Sequence, residues 1–354
     1  MRLALASDGF NPFGPASTPH SIWPVVLIPL NFPPSMCMRK EYNILSLLVS
    51  GPKSPGKCLN VFMQPLIDDL QVLWATGVPT YDRKSCEQFR MRAAVMYTIS
   101  DYLGLGMLGG IQVKGYKACP ICLDGIDATY SRRRMSYQGH RRWLNEYHPY
   151  RFMTREFNGA TEERPPLQVP SSEEVLRQTR LYEYPVQSLH PLLAPKQGRA
   201  PCCWTHETIF WQLPYWKSIR VRHALDVMHI EKNVCDNVIG TVLGLKSKTK
   251  DDANARATLS DMGISRPSSD FTVLPQKRSE VFERIAAIKY PTGYAGQLRS
   301  KVNVQDKKFY GLKTHDCHVL LQRILPIHIR PYVGSRVADT LVDLSRWFQR
   351  LCVR

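Results

Sequence analysis

The chain has 354 residues, 44% of them hydrophobic, enough to bury sizeable cores in about two or three domains. Its 47 Lys and Arg against 30 Asp and Glu give a net charge of +17, which points to a polyanionic partner, nucleic acid before a membrane surface. No run approaches the roughly 18 uncharged apolar residues of a membrane span, and no signal peptide opens the chain. Ten cysteines are too sparse for a disulfide scaffold, so they read as reduced thiols or metal ligands in cytosol or nucleus.

Taken in order, residues 2–7, 21–31 and 42–52 are apolar runs bounded by Pro, Gly or Asn, and each predicts a strand. Pro24 and Pro29 weaken the second, because proline lacks the donor that a central strand needs. Phe62, Leu66, Leu70, Leu73 and Trp74 recur at helical spacing before Gly77 and Pro79. Residues 94–99 predict a buried strand. The order β-β-β-α-β implies a mixed sheet with helices packed on it, an α/β class. Residues 165–201 are proline-rich and read as a connector. Residues 222–245 carry the longest helical signal, residues 247–275 are polar, and helical stretches at 316–325 and 338–353 make the C-terminal region mainly helical. The expected boundaries are 1–113 for the first part of a core, 114–221 for a basic Cys/His-containing insertion, 222–265 for a core helix and 266–354 for a C-terminal domain.

Two predicted strands end in a carboxylate, Asp8 in "LALASDGFNPFG" and Asp101 in "YTISDYLG". Functional groups in open α/β sheets gather beyond the carboxyl ends of strands. A pair of carboxylates there suits Mg²⁺ or Mn²⁺, which take hard oxygen ligands and accept phosphate oxygens besides. Aspartate before glycine is also a common turn residue. The long helix offers a third acid. Asp226 and Glu231 lie about 140° apart on a helix and cannot both face one pocket. Glu231 has the longer arm and is the first choice, with Asp226 the alternative.

Cys119 and Cys122 form a C-x2-C knuckle, followed by His140 and His148 in a basic, turn-rich stretch. The set suits structural Zn²⁺, although the histidine spacing is wider than usual. His223 and His229 read as core or helix-surface residues. His315, Cys317 and His318 read as packing and capping. Between the knuckle and His148, "SRRRMSYQGHRRWL" holds Arg132, Arg133, Arg134, Arg141 and Arg142 among aromatics that include Trp143. Arginines neutralise phosphates and aromatics stack on bases, so this is the candidate DNA contact; a solvated loop is the plainer reading. These arginines, or "KSKTK" at 246–250, also suit nuclear import.

"LALASDGFNPFG", "WPVVLIPLNFPP", "GPKSPGK", "KGYKACPIC", "GHRRWL" and "LPYWKSIRVRHALDVMHIEKNVCDNVIGTVLG" together resemble the plant CACTA-type (En/Spm) transposases over residues 1–264. "GLKTHDCHVLLQRILPIHIR" resembles the uncharacterised domain that follows that core. The resemblance implies an RNase H-like sheet and three acids holding divalent metal, with cleavage and joining of DNA strands in the nucleus. It carries the first acid to Asp8, the second to Asp101 and the third to Glu231 or Asp226, with the Cys/His pairs between the second and third. DNA is the implied partner, with further copies of the chain or other transposon proteins beside it and no membrane. Family members carry a region ahead of the first strand, so the resemblance also implies a truncated copy. The rival expectation is a non-catalytic, zinc-stabilised DNA- or protein-binding remnant.

Overall fold

A mixed five-stranded sheet organises the first of two units, Met1–His148 with Glu162–Leu225; the second is Pro149–Thr161 with Asp226–Arg354. The computed structural model describes residues 1–13, 18–155, 157–181, 202–245, 249–264, 272–291 and 298–352. Residues 182–201 of the expected connector and 246–248 of the basic "KSKTK" stretch lie outside the described residues.

In the first unit, β1 (Arg2–Ser7), β2 (Trp23–Pro29) and β3 (Ile44–Val49) form an antiparallel meander. Helix α1 (Leu59–Ala75) and the hairpin β4 (Val78–Asp82)–β5 (Glu87–Met91) follow. Strand β6 (Ala94–Ser100) then runs parallel to β1. Helix α2 (Tyr102–Gly109), the hairpin β7 (Asp127–Ser131)–β8 (Arg134–Gln138) and α3 (Ser172–Leu181) lead to β9 (His223–Leu225), which is parallel to β6. The sheet order is β3-β2-β1-β6-β9. The mixed sheet with helices expected from the sequence is therefore present, with a fifth strand at one edge.

The prolines of β2 are tolerated by position. Pro24 lies one step beyond Val25, which faces Ser7 at the end of β1, and Pro29 is the last residue of the strand. Helix α1 buries Leu59, Met63, Leu66, Ile67 and Leu70, one helical face. They pack with Leu5, Val25, Val95, Phe210 and Trp216. Phe62 and Trp74, expected in that stripe, stand 47% and 42% exposed.

The second unit is mainly helical. It contains α4 (Val227–Val242), α5 (Ala253–Asp261), α6 (Arg278–Ala286) and the short pair β10 (Val302–Asn303)–β11 (Lys308–Phe309). Next come α7 (Thr314–Val319), continued through a π-helical turn (Leu320–Ile324) into Leu325–His328, and α8 (Ser335–Leu351). Cys235, Ile239 and Val242 of α4 pack with Phe282, Ile285, Leu321, Leu341 and Phe348. Among the described residues no helix is long and apolar enough to cross a membrane.

Candidate active site and metal centres

Strand register carries two of the candidate acids to one end of the sheet. Ala6 of β1 pairs with Ile99 of β6. Two residues further along each chain stand Asp8 and Asp101. Asp8 is exposed, and its Oδ1 accepts the N–H of Gly9 at 2.7 Å. Asp101 caps α2: its Oδ1 accepts the N–H of Gly104 at 2.6 Å, and the backbone N–H of Leu105 donates to its carbonyl at 2.9 Å. The glycine-rich α2 was not expected from the sequence. Gly104 is needed there, because a Cβ would stand 2.9 Å from Ser100 Cβ, 3.1 Å from Asp101 Oδ1 and 3.2 Å from the Ser7 carbonyl. Ser7 and Ser100, just before the two aspartates, are buried, and their hydroxyls have no hydrogen-bond partner among the described residues.

Leu225, the last residue of β9, pairs with Ser100 of β6, and Asp226 is the next residue of the chain. The long helix expected from residue 222 starts instead at Val227, with Asp226 as its N-cap accepting the N–H of Met228 at 2.9 Å. Aspartate before a helical run is a strong N-cap, and the residues ahead of it close the sheet as β9. Glu231 lies within the second unit's helix α4 and is fully buried. Its Oε2 accepts from Nδ1 of His318 at 2.7 Å, while its Oε1 has no partner among the described residues. The thiol of Cys352 lies 3.9 Å from the same Oε2. Among the described residues, three potential ligand atoms lie within 4.8 Å of one another at Glu231, His318 and Cys352. His318 had read as a packing residue and Cys352 had not been singled out. They stand 87 and 121 residues from Glu231, so no local spacing signals the group. Cys317, by contrast, is packed in the core as expected.

Cys119 and Cys122 lie side by side: the backbone N–H of Cys122 donates to Cys119 Sγ at 3.3 Å. Trp143 donates its indole N–H to Cys122 Sγ at 3.3 Å. Burial pushes the Cys122 thiol above its ordinary value, with Trp143 working against that shift and Cys119 adding to it. His140 opens the short helical turn His140–Trp143, and His148 ends the first unit's leading segment. Neither forms a three-ligand group with the two thiols.

The candidate DNA-contacting residues divide by position. Arg132 and Arg133 form the two-residue turn of the β7–β8 hairpin, at φ 49° and 63°, and Arg134 begins β8; all three are exposed. Arg141, Arg142 and Trp143 are half-buried. Arg142 donates to the Pro165 carbonyl at 3.4 Å, and Trp143 is engaged with Cys122. The hairpin is held at its base by Asp127, whose carboxylate lies 2.7 Å from the Arg164 guanidinium, itself 2.7 Å from Glu162.

The family model of Transposase family tnp2 matches residues 1–181. No curated protein and no solved structure matches the chain.

Proposed function

The chain belongs to Transposase family tnp2, and from that membership we propose that it carries a metal-dependent phosphodiester site of the DDE type, as the CACTA-type (En/Spm) resemblance implies. The observation that carries this reading is the pair of adjacent parallel strands, β1 and β6, whose chains both leave the sheet at an aspartate, Asp8 and Asp101. The order β3-β2-β1-β6-β9, with three antiparallel strands followed by two parallel to β1, supports an RNase H-like sheet.

Asp226 is our third acid. It follows β9 in the chain, one step after the pairing of Leu225 with Ser100, whereas the Glu231 carboxylate is taken up by His318. The donor set fits Mg²⁺ or Mn²⁺, since every candidate ligand is a carboxylate oxygen and Asp8 is exposed. When bound, such ions activate a water or 3′-hydroxyl and stabilise charge on the phosphate. The protein's own contribution is positioning: the cap of α2 holds the Asp101 carboxylate at the end of β6.

DNA is the proposed substrate and partner, contacted by Arg132, Arg133 and Arg134 on the exposed hairpin, and the nucleus is the proposed location. Arg141, Arg142 and Trp143 support that contact from half-buried positions. Zn²⁺ at Cys119 and Cys122 is the proposed structural ion beside it, supported by the adjacent thiols; His140 and His148, the other ligands expected from the sequence, do not form a ligand group with them in this structure. The test is nicking of supercoiled DNA in Mg²⁺ or Mn²⁺. Slow nicking lost in Asp8→Asn, Asp101→Asn and Asp226→Asn but kept in Glu231→Gln is expected. Loss in Glu231→Gln with Asp226→Asn unaffected reassigns the third acid. Salt-sensitive DNA binding with no nicking at any protein concentration leaves a non-catalytic binding protein.

A further inference from the structure

Glu231 presents an unusual situation. A carboxylate with no exposed surface leaves one oxygen, Oε1, without a hydrogen-bond partner among the described residues. An unpaired buried polar group is costly, the more so when charged, and native structures rarely keep one without a reason. Beside it stand an imidazole nitrogen, His318 Nδ1, and a thiol, Cys352 Sγ, with the three ligand atoms within 4.8 Å of one another. The three residues come from three separate elements of the second unit: α4, α7 and the C-cap of α8.

We propose that Glu231, His318 and Cys352 bind a zinc ion that ties α4, α7 and the end of α8 together. The donor types select the metal. A carboxylate oxygen, an imidazole nitrogen and a sulfur suit Zn²⁺, whereas Mg²⁺ and Ca²⁺ take oxygen ligands and avoid thiolate. The distances suit the ion after a small adjustment. The 2.7 Å separation between His318 Nδ1 and Glu231 Oε2 is that of a hydrogen bond. Tetrahedral coordination at about 2.0 Å for each atom opens it to about 3.3 Å. Binding shifts the ring proton of His318 from Nδ1 to Nε2 by way of solvent, so that the neutral imidazole ligates through Nδ1, and releases the Cys352 thiol proton to solvent. Gln322, whose Nε2 lies 3.1 Å from His318 Nδ1, must then turn away from that nitrogen. With three protein ligands the fourth position is left to water or to Glu231 Oε1. The site lies wholly within the second unit and is independent of the phosphodiester reading.

The experiment uses the full chain with Cys119→Ser and Cys122→Ser, so that zinc at the knuckle cannot be counted. Metal content is measured after purification in zinc, and the protein is then stripped and reloaded with Co²⁺. One zinc per chain and a thiolate-to-cobalt charge-transfer band are expected, both lost on adding Cys352→Ala. Thermal unfolding with and without a chelator is followed in the same proteins: chelation lowers the midpoint when Cys352 is present and leaves it unchanged in Cys352→Ala. Zinc and cobalt signals that persist in Cys352→Ala overturn the proposal. So does a chain retaining Cys352 that takes up neither metal.

Discussion

The backbone N–H of Val95 donates to the hydroxyl oxygen of Tyr215 at 3.0 Å, at the point where β6 bulges against β1. Leu3 pairs with Val95, but Ala4 pairs with Tyr97, so Met96 is an extra residue in β6. A bulge shifts every later pair by one. Without it the chain would bring Asp8 level with Ser100; with it, Asp8 is level with Asp101. Tyr215 therefore supports the register on which the acid pair depends.

Tyr215→Phe removes the acceptor and leaves a buried N–H unpaired. Urea unfolding is expected to show a loss of about 1–3 kcal/mol. An unchanged midpoint would mean that the bulge is held by strand pairing alone.

Asp101 has two duties that substitution separates. Asparagine remains a good N-cap but carries no charge. Asp101→Asn is expected to unfold within about 0.5 kcal/mol of the parent while losing metal-dependent nicking. Asp101→Ala also loses the cap, at about 1 kcal/mol. Gly104→Ala leaves the carboxylate in place but crowds Asp101 Oδ1 and the Ser7 carbonyl, so it should weaken Mn²⁺ binding measured by titration. Equal metal affinity in Gly104→Ala and the parent would show that the α2 turn does not set the acid's position.

The sheet was legible where burial writes a pattern. β1 and β6 are rich in apolar residues because their neighbours cover them, and Leu5 and Val95 are fully buried. The two hairpins were not legible. β5 reads "EQFRM" and is largely exposed, so no apolar alternation marks it. The β7–β8 turn is Arg-Arg, where a two-residue turn with positive φ normally calls for Asn-Gly. Asp226 was read as one face of a helix because its neighbours are periodic, although it is the residue type that begins one. The grouping of Glu231, His318 and Cys352 depends on the folding of three distant segments, which no spacing in the chain encodes.

His223 gives a pH dependence. It is half-buried in the first unit. Its Nδ1 lies 2.7 Å from the Thr98 hydroxyl, and the rings of Phe210 and Trp216 pack around it. Burial, assisted by the charge of Arg222, lowers its pKa to about 3. The unfolded chain binds the proton at the ordinary value of 6.5 while the folded chain resists it. This contribution to stability is therefore complete above about pH 6.5 and is lost as pH falls from there toward 3, by up to about 1.4 kcal/mol per pH unit. Carboxylates titrate in the lower half of that window, so the measured quantity is the difference between the parent and His223→Gln. The parent's stability should fall more steeply than the variant's between pH 6.5 and 5; parallel curves would place the histidine's proton elsewhere.

The hairpin turn sets stability against binding. Arg132 and Arg133 occupy φ 49° and 63°, a left-handed region that costs a side-chain-bearing residue about 1–2 kcal/mol and that Asn and Gly enter readily. Substituting Arg132→Asn with Arg133→Gly relieves the turn. The double variant is expected to gain about 1 kcal/mol in urea unfolding, since part of the relief is offset by glycine's greater freedom in the unfolded chain. The same change removes two exposed positive charges from the proposed DNA contact. Each phosphate contact adds about 0.9 to the slope of log affinity against log salt on duplex DNA. The double variant should therefore bind more weakly at low salt, and its salt slope should be smaller by up to about 2. A more stable hairpin with an unchanged slope would remove Arg132 and Arg133 from the interface and leave Arg134, Arg141 and Arg142 to carry it. A hairpin that gains no stability would mean that contacts made by the arginines already compensate the turn.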